Sequence, residues 1–209
     1  MSGGSWCPWS HVASPLSVTL RLAVAAGCPV PEEPGLAHPL TVLCLRNATL
    51  SSIMSAARTV HSPAFTPTWG PSEDGVVVAT RRGVQQTRSQ VDIVFGFTPW
   101  EAWSWLDNDV VSKGIDEFSF ERISRTWVRN TRRHHLREVL AAALQEYTDW
   151  TAVKPGPLSR RNLLFHLLGD AGVVAPLHKA ADVLSVSAKV FMFLCDLTTQ
   201  TPGKVSNLN

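Results

Sequence analysis

Among the acids, bases and nucleophiles of this 209-residue chain, Glu101 sits best for chemistry. It follows the apolar run 91–97 in the string Gly96-Phe97-Thr98-Pro99-Trp100-Glu101-Ala102-Trp103-Ser104-Trp105. Loops after the strands of α/β sheets are where such folds place reactive groups. Trp100, Trp103 and Trp105 offer the carboxylate partial shelter from water, and the plainer alternative is a glutamate on a surface loop. Its partners are harder to find. Ester chemistry on such a sheet needs a serine on a tight strand-to-helix turn, written Gly-x-Ser-x-Gly because small neighbours let the strained turn form. The chain holds no such pentapeptide and no Gly-rich oxyanion loop of the His-Gly-Gly kind.

The other polar clusters read more simply. His134 and His135 are adjacent, so on a helix they project about 100° apart and do not converge on a metal. No metal site and no cofactor is expected. The arginines from Arg122 to Arg137 have the look of a polyanion contact, yet Glu117, Glu121 and Glu138 are interleaved and the net charge is only +2. A solvated helix face, open to a protein partner and not to nucleic acid, is the expectation.

Cys28 and Cys44 enclose a segment rich in Pro, Gly and Glu that packs little of its own. A covalent bridge over such a loop contributes about 3 kcal/mol by restricting the unfolded chain. Three residues further lies Asn47-Ala48-Thr49, an N-glycosylation acceptor. Together they favour an oxidising, extracellular setting. Met1-Ser2-Gly3-Gly4-Ser5 has no basic or apolar region of a secretory signal, and no apolar run reaches the ~20 residues of a membrane span.

Several elements must position these groups. Leu16–Ala26 and Leu50–Ala57 read as short helices, with a Pro-rich loop between them. Asp74-Gly75 introduces Val76–Ala79 as a short buried strand. Val91–Phe97 and Lys189–Leu197 are further strands, apolar enough for a parallel sheet covered on both faces. Phe120, Ile123 and Trp127 share one helical face, opposite Arg122, Arg125 and Arg129. The next stripe, from Leu136 through Val139, Leu140, Ala143 and Leu144 to Tyr147, falls half a turn away in the same helical phase. One straight helix cannot bury both, so a break belongs near Asn130–Thr131. A further helix over Ser159–Leu168 stops at Gly169. Asp170 caps the next, whose face is Val173, Leu177, Ala181 and Leu184 and whose interior Pro176 should kink it. Strands alternating with helices mean an α/β fold. The 44% apolar composition is that of a globular domain.

Read in order, Cys28…Cys44-Leu45-Arg46, Phe65-Thr66-Pro67-Thr68-Trp69-Gly70-Pro71…Asp74-Gly75-Val76, Val91–Glu101, Tyr147-Thr148-Asp149-Trp150 and Leu168-Gly169-Asp170…Val174-Ala175-Pro176 resemble the cholinesterase-like, type B carboxylesterase family over nearly the whole chain. The stretches Arg125–Glu138 and Glu146–Trp150 resemble its gliotactin-like, neuroligin-related branch, whose members are non-catalytic, membrane-tethered junction proteins. The resemblance implies an α/β-hydrolase fold and a Cys28–Cys44 disulfide, and it aligns Glu101 with the charge-relay acid that orients the catalytic histidine. Trp100 and Ala102 stand where the family usually has an acidic residue and a small one, often Gly. Residues 1–209 are then expected to be part of one such domain, after the nucleophile elbow and before the histidine. The expected function is adhesion at cell junctions through protein partners or a homodimer, with Leu158–Leu184 as a candidate dimer surface. The same apolar residues packing on the domain's own sheet is the alternative. An active secreted carboxylesterase is the rival reading, and an intracellular protein with free thiols at Cys28 and Cys44 is a third.

Overall fold

The computed structural model describes residues 3–32, 39–78, 91–152 and 155–196. Helices dominate. α1 (Pro15–Ala25), α2 (Pro39–Asn47) and α3 (Leu50–Thr59) form an N-terminal group. The strand β1 (Ile93–Phe97) leads through a short 3-10 turn (Trp103–Trp105) into α4 (Asn108–Lys113), α5 (Glu117–Thr131) and α6 (Leu136–Glu146). Then follow α7 (Pro157–Gly169), a π-helical turn (Asp170–Val174), α8 (Ala175–Leu184) and β2 (Val190–Leu194).

β1 and β2 pair in parallel, Ile93 opposite Val190 and Phe97 opposite Leu194, which makes the chain α/β. The sheet is covered differently from expectation. On one face Phe95 and Met192 pack with Val173, Leu177 and Ala181. On the other face, among the described residues, Val94, Phe191 and Phe193 remain exposed. Val76–Val78 form no strand. Their amides all donate to the carboxylate of Asp74 at 2.9 Å, so the aspartate takes the hydrogen bonds a neighbouring strand would have taken, and Val76 and Val77 stay exposed. Ala79 and Leu197 lie outside the described residues.

The largest core is built by α5 and α7. Phe120, Trp127 and Val128 meet Leu164, Phe165, Leu167 and Leu168, all buried. Asp116 starts α5 by accepting from the Ser119 amide at 2.7 Å, a side-chain cap for an otherwise orphaned donor. The helix ends at Thr131 and α6 begins at Leu136, one turn past the break that the two apolar stripes require. His134 and His135 are exposed in that turn, and His135 takes the left-handed conformation, φ 54°.

Gly169 does not stop α7, and Asp170 does not cap α8. Gly169 stays right-handed helical, φ −63° and ψ −47°, and residues 157–184 run on through the π-turn. The cause is Pro176. It has no N–H to offer the carbonyl four residues back, that of Gly172, and its ring would clash there. The chain widens, with the Ala175 amide donating to the Asp170 carbonyl, a five-residue step in place of four. The apolar face of this long helix is core: Leu164, Leu167, Leu168, Val173 and Leu177 are at most 2% exposed. Hence these residues of Leu158–Leu184 pack within the chain and cannot also form a dimer surface.

Pro39 opens α2 at a position where proline costs no hydrogen bond, so part of the expected Pro-rich loop is helix. Cys28 and Cys44 are joined, with Cα atoms 5.7 Å apart, which ties α2 to the end of α1. Cys7 and Cys195 are free thiols, the first buried and the second half-buried. No single described helix is long and apolar enough to cross a membrane. α2 and α3 reach the length only as a pair, bent by 116°.

Candidate functional site

The carboxyl end of β1 delivers the chain into a closed turn. Glu101 Oε1 accepts from the Thr98 amide at 2.6 Å and from the Thr98 hydroxyl at 3.1 Å. The backbone then tightens, Trp103 N–H donating to the Trp100 carbonyl and Trp105 N–H to that of Ala102, both at 3.0 Å. Ala102 is fully buried, so the position after the glutamate needs a small side chain.

The three indoles do not gather round the carboxylate. Trp100 meets Phe165 edge-on at 5.7 Å, and Trp103 stacks on the same ring at 5.4 Å. Trp105 lies over Gly172, where a Cβ would fall 2.3 Å from the indole. The rings therefore clamp the turn onto α7 and the π-turn, and Gly169 passes directly beneath, its Cβ position 3.6 Å from that of Glu101. Sequence reasoning identified the tryptophans but not their partners. Gly172 and Pro176, four residues apart, were the signal for the widened turn that seats Trp105.

Cys7 comes close to this turn from the N-terminal segment. Burial pushes its thiol up, the Gly4 amide on Sγ acts the other way, and the charge of Glu101 raises it further. A thiol held neutral is a poor nucleophile. His166 and His178 are exposed on α7 and α8, their rings 5.6 Å from Trp100 and 6.3 Å from Phe97. Among the described residues, no three His, Cys, Asp or Glu side chains gather where a metal ion could bind.

On the far side of the Trp105 indole lies a cavity of about 560 Å³. Phe65, Pro67, Trp105, Val110, Ile123 and Trp127 give it an apolar lining, with Arg122 and Asp107 as charges. That is the size and character of a small-molecule pocket. Among the described lining residues the hydroxyls are those of Thr66 and Thr126.

A latch closes the opposite side of the π-turn. The Tyr147 phenol donates to Asp170 Oδ2 at 2.6 Å; burial, then this carboxylate, holds the phenol well above the ordinary tyrosine range. The Tyr-Thr-Asp-Trp stretch is thereby fixed to the long helix, while Trp150 itself stays exposed. At the other end of the molecule Asn47 closes α2 with its side chain exposed, and Thr49 caps α3 by accepting from the Ser52 amide.

The model of the carboxylesterase family matches residues 1–207. Neuroligin-1 of Caenorhabditis elegans is 25% identical over 207 residues, which cover 92% of this chain and 26% of that protein. The chain thus spans about a quarter of the length of this relative. With a glutamate at the carboxyl end of a parallel strand and a family match along almost its full length, the chain belongs to the cholinesterase-like carboxylesterase family.

Proposed function

We propose that residues 1–209 are part of the α/β-hydrolase domain of an extracellular, cholinesterase-like adhesion protein that works at cell junctions through protein contacts and does not hydrolyse esters. The observation that carries this reading is the similarity to neuroligin-1 over 92% of the chain. Glu101 would occupy the charge-relay position. An acid of this kind acts only through the histidine and nucleophile it serves, and here it closes its own turn on Thr98. The Cys28–Cys44 bridge and the exposed Asn47 fit an oxidising compartment, with Asn47 glycosylated and any membrane tether supplied outside these residues.

The test uses the full-length protein with an activated acyl ester. The expected result is no turnover beyond that of the Glu101→Gln variant. Turnover that Glu101→Gln abolishes would overturn the proposal and establish the rival, an active secreted carboxylesterase. The retained glutamate after β1 is what favours that rival. Adhesion is read separately: cells displaying the protein should aggregate with, or recruit, cells displaying a partner, whether or not Glu101 is intact. Thr49→Asp keeps a capping oxygen for α3 but destroys the acceptor triplet. It should abolish a glycosidase-sensitive mass shift while leaving the melt unchanged.

A further inference from the structure

From the cavity beside the Tyr-Thr-Asp-Trp stretch, we infer a binding site for a neutral sugar ring of gluco configuration. The cavity, of about 340 Å³, lies between the start of α5, the end of α6 and the first turns of α7. Small-molecule sites begin at about 300 Å³, so only a small occupant fits. Phe120, Tyr147 and Leu163 supply its apolar lining, and Trp150 borders it. That indole is 73% exposed. Its N–H nevertheless donates to the Gln145 carbonyl at 3.0 Å. The one polar group of the ring system is thus already bonded, which fixes the ring and leaves its surface open to contact. A platform ordered in advance costs a ligand little entropy.

The charges at the rim select the ligand. Arg160 lies 3.6 Å from Glu117 and is itself largely covered, its side chain 15% exposed. Asp149 is oriented by the Thr151 amide and hydroxyl, which donate to its Oδ1 at 3.0 Å and 2.6 Å. A cation entering here meets the guanidinium, and an anion meets two carboxylates. A neutral polyol finds charged donors and acceptors together. A pyranose with equatorial hydroxyls carries axial C–H groups on its faces, suited to the electron-rich face of an indole. Its hydroxyls then stand round the edge, where Arg160, Glu117 and Asp149 line the cavity.

Saturation-transfer NMR on the full-length protein tests this with methyl β-glucoside, methyl N-acetyl-β-glucosaminide, methyl β-glucuronide and N-acetyl-arginine amide. The expected result is transfer to the axial ring protons of at least one neutral glycoside. Its affinity should fall at least ~10-fold in Trp150→Ala and in Arg160→Met, the latter keeping the packed stem of the side chain. It should be unchanged in Trp69→Ala, which removes an indole exposed elsewhere. Trp150→Phe keeps a stacking face and should recover part of the affinity, which unfolding would not allow; circular dichroism and melting check the fold of every variant. No transfer to either neutral glycoside overturns the inference. Tighter binding of the glucuronide or of the arginine amide does the same, because it would make the pocket an ion site. Equal loss in Trp69→Ala also overturns it, by reducing the effect to contact with any exposed indole.

Discussion

Residues 3–78 and residues 91–196 are stabilised by opposite means. The first region has a small apolar core, Val12, Val18 and Val60 with Leu22 against them, and a disulfide that ties the end of α1 to α2. The second has no disulfide among its described residues, and it interlocks α5, α7 and the tryptophan turn around Phe165 and Leu164. Chain entropy is restrained covalently where packing is thin, and by burial where side chains are large. The helices α1–α3 and the α5–α7 core should therefore fail separately, although Trp6 and Phe65 of the first region pack against the cores of the second.

The largest effect is expected from Phe165→Ala. The ring is fully buried beneath Trp100 and Trp103, so its loss should cost about 3–5 kcal/mol in urea unfolding. Amide exchange should rise across α5 and α7 and stay unchanged in α1. Replacing Cys28 and Cys44 by serine should do the reverse. The entropy model gives about 3 kcal/mol for such a loop, read as exchange and proteolysis confined to α1–α3. If either substitution loosens both regions equally, the contrast between them is wrong. Tyr147→Phe sharpens it within the second region: removal of one hydrogen bond to Asp170 should cost about 1 kcal/mol and show first in the π-turn.

The smallest effect is a pH dependence at α5. The Ser119 amide holds the Asp116 carboxyl below its ordinary value. A depressed folded value means the stabilisation is complete above the unfolded pKa, about 3.9, and is lost as pH falls through the lower folded value. Amide protection in the first turn of α5 should therefore drop below about pH 4 and lose that dependence in Asp116→Asn.

Periodicity made the second region legible. Two apolar stripes half a turn out of phase could only mean a break between α5 and α6, and the structure has one at 132–135. The continuous apolar runs gave β1 and β2 and their parallel pairing. Punctuation was less dependable. Pro39 begins a helix, Gly169 continues one, and Asp74 captures the amides of three valines that read as strand. Each is a contest between nearby signals, the Asp74 carboxylate against strand pairing and Pro176 against a stop at Gly169, that residue preferences alone do not decide. At the site, position was legible and orientation was not. Glu101 lies at the end of β1, but the neighbouring indoles face Phe165 and Gly172, residues more than sixty positions away.

The widened turn at Asp170–Val174 also sets the azimuth of everything after it. An α-helix advances about 100° and 1.5 Å per residue, so deleting one residue here and restoring regular winding would spin α8 by more than a quarter of a circle. Leu177 would swing away from Phe95, and β2 would reach its neighbour turned off its seat. The long helix consequently has almost no latitude at this one joint.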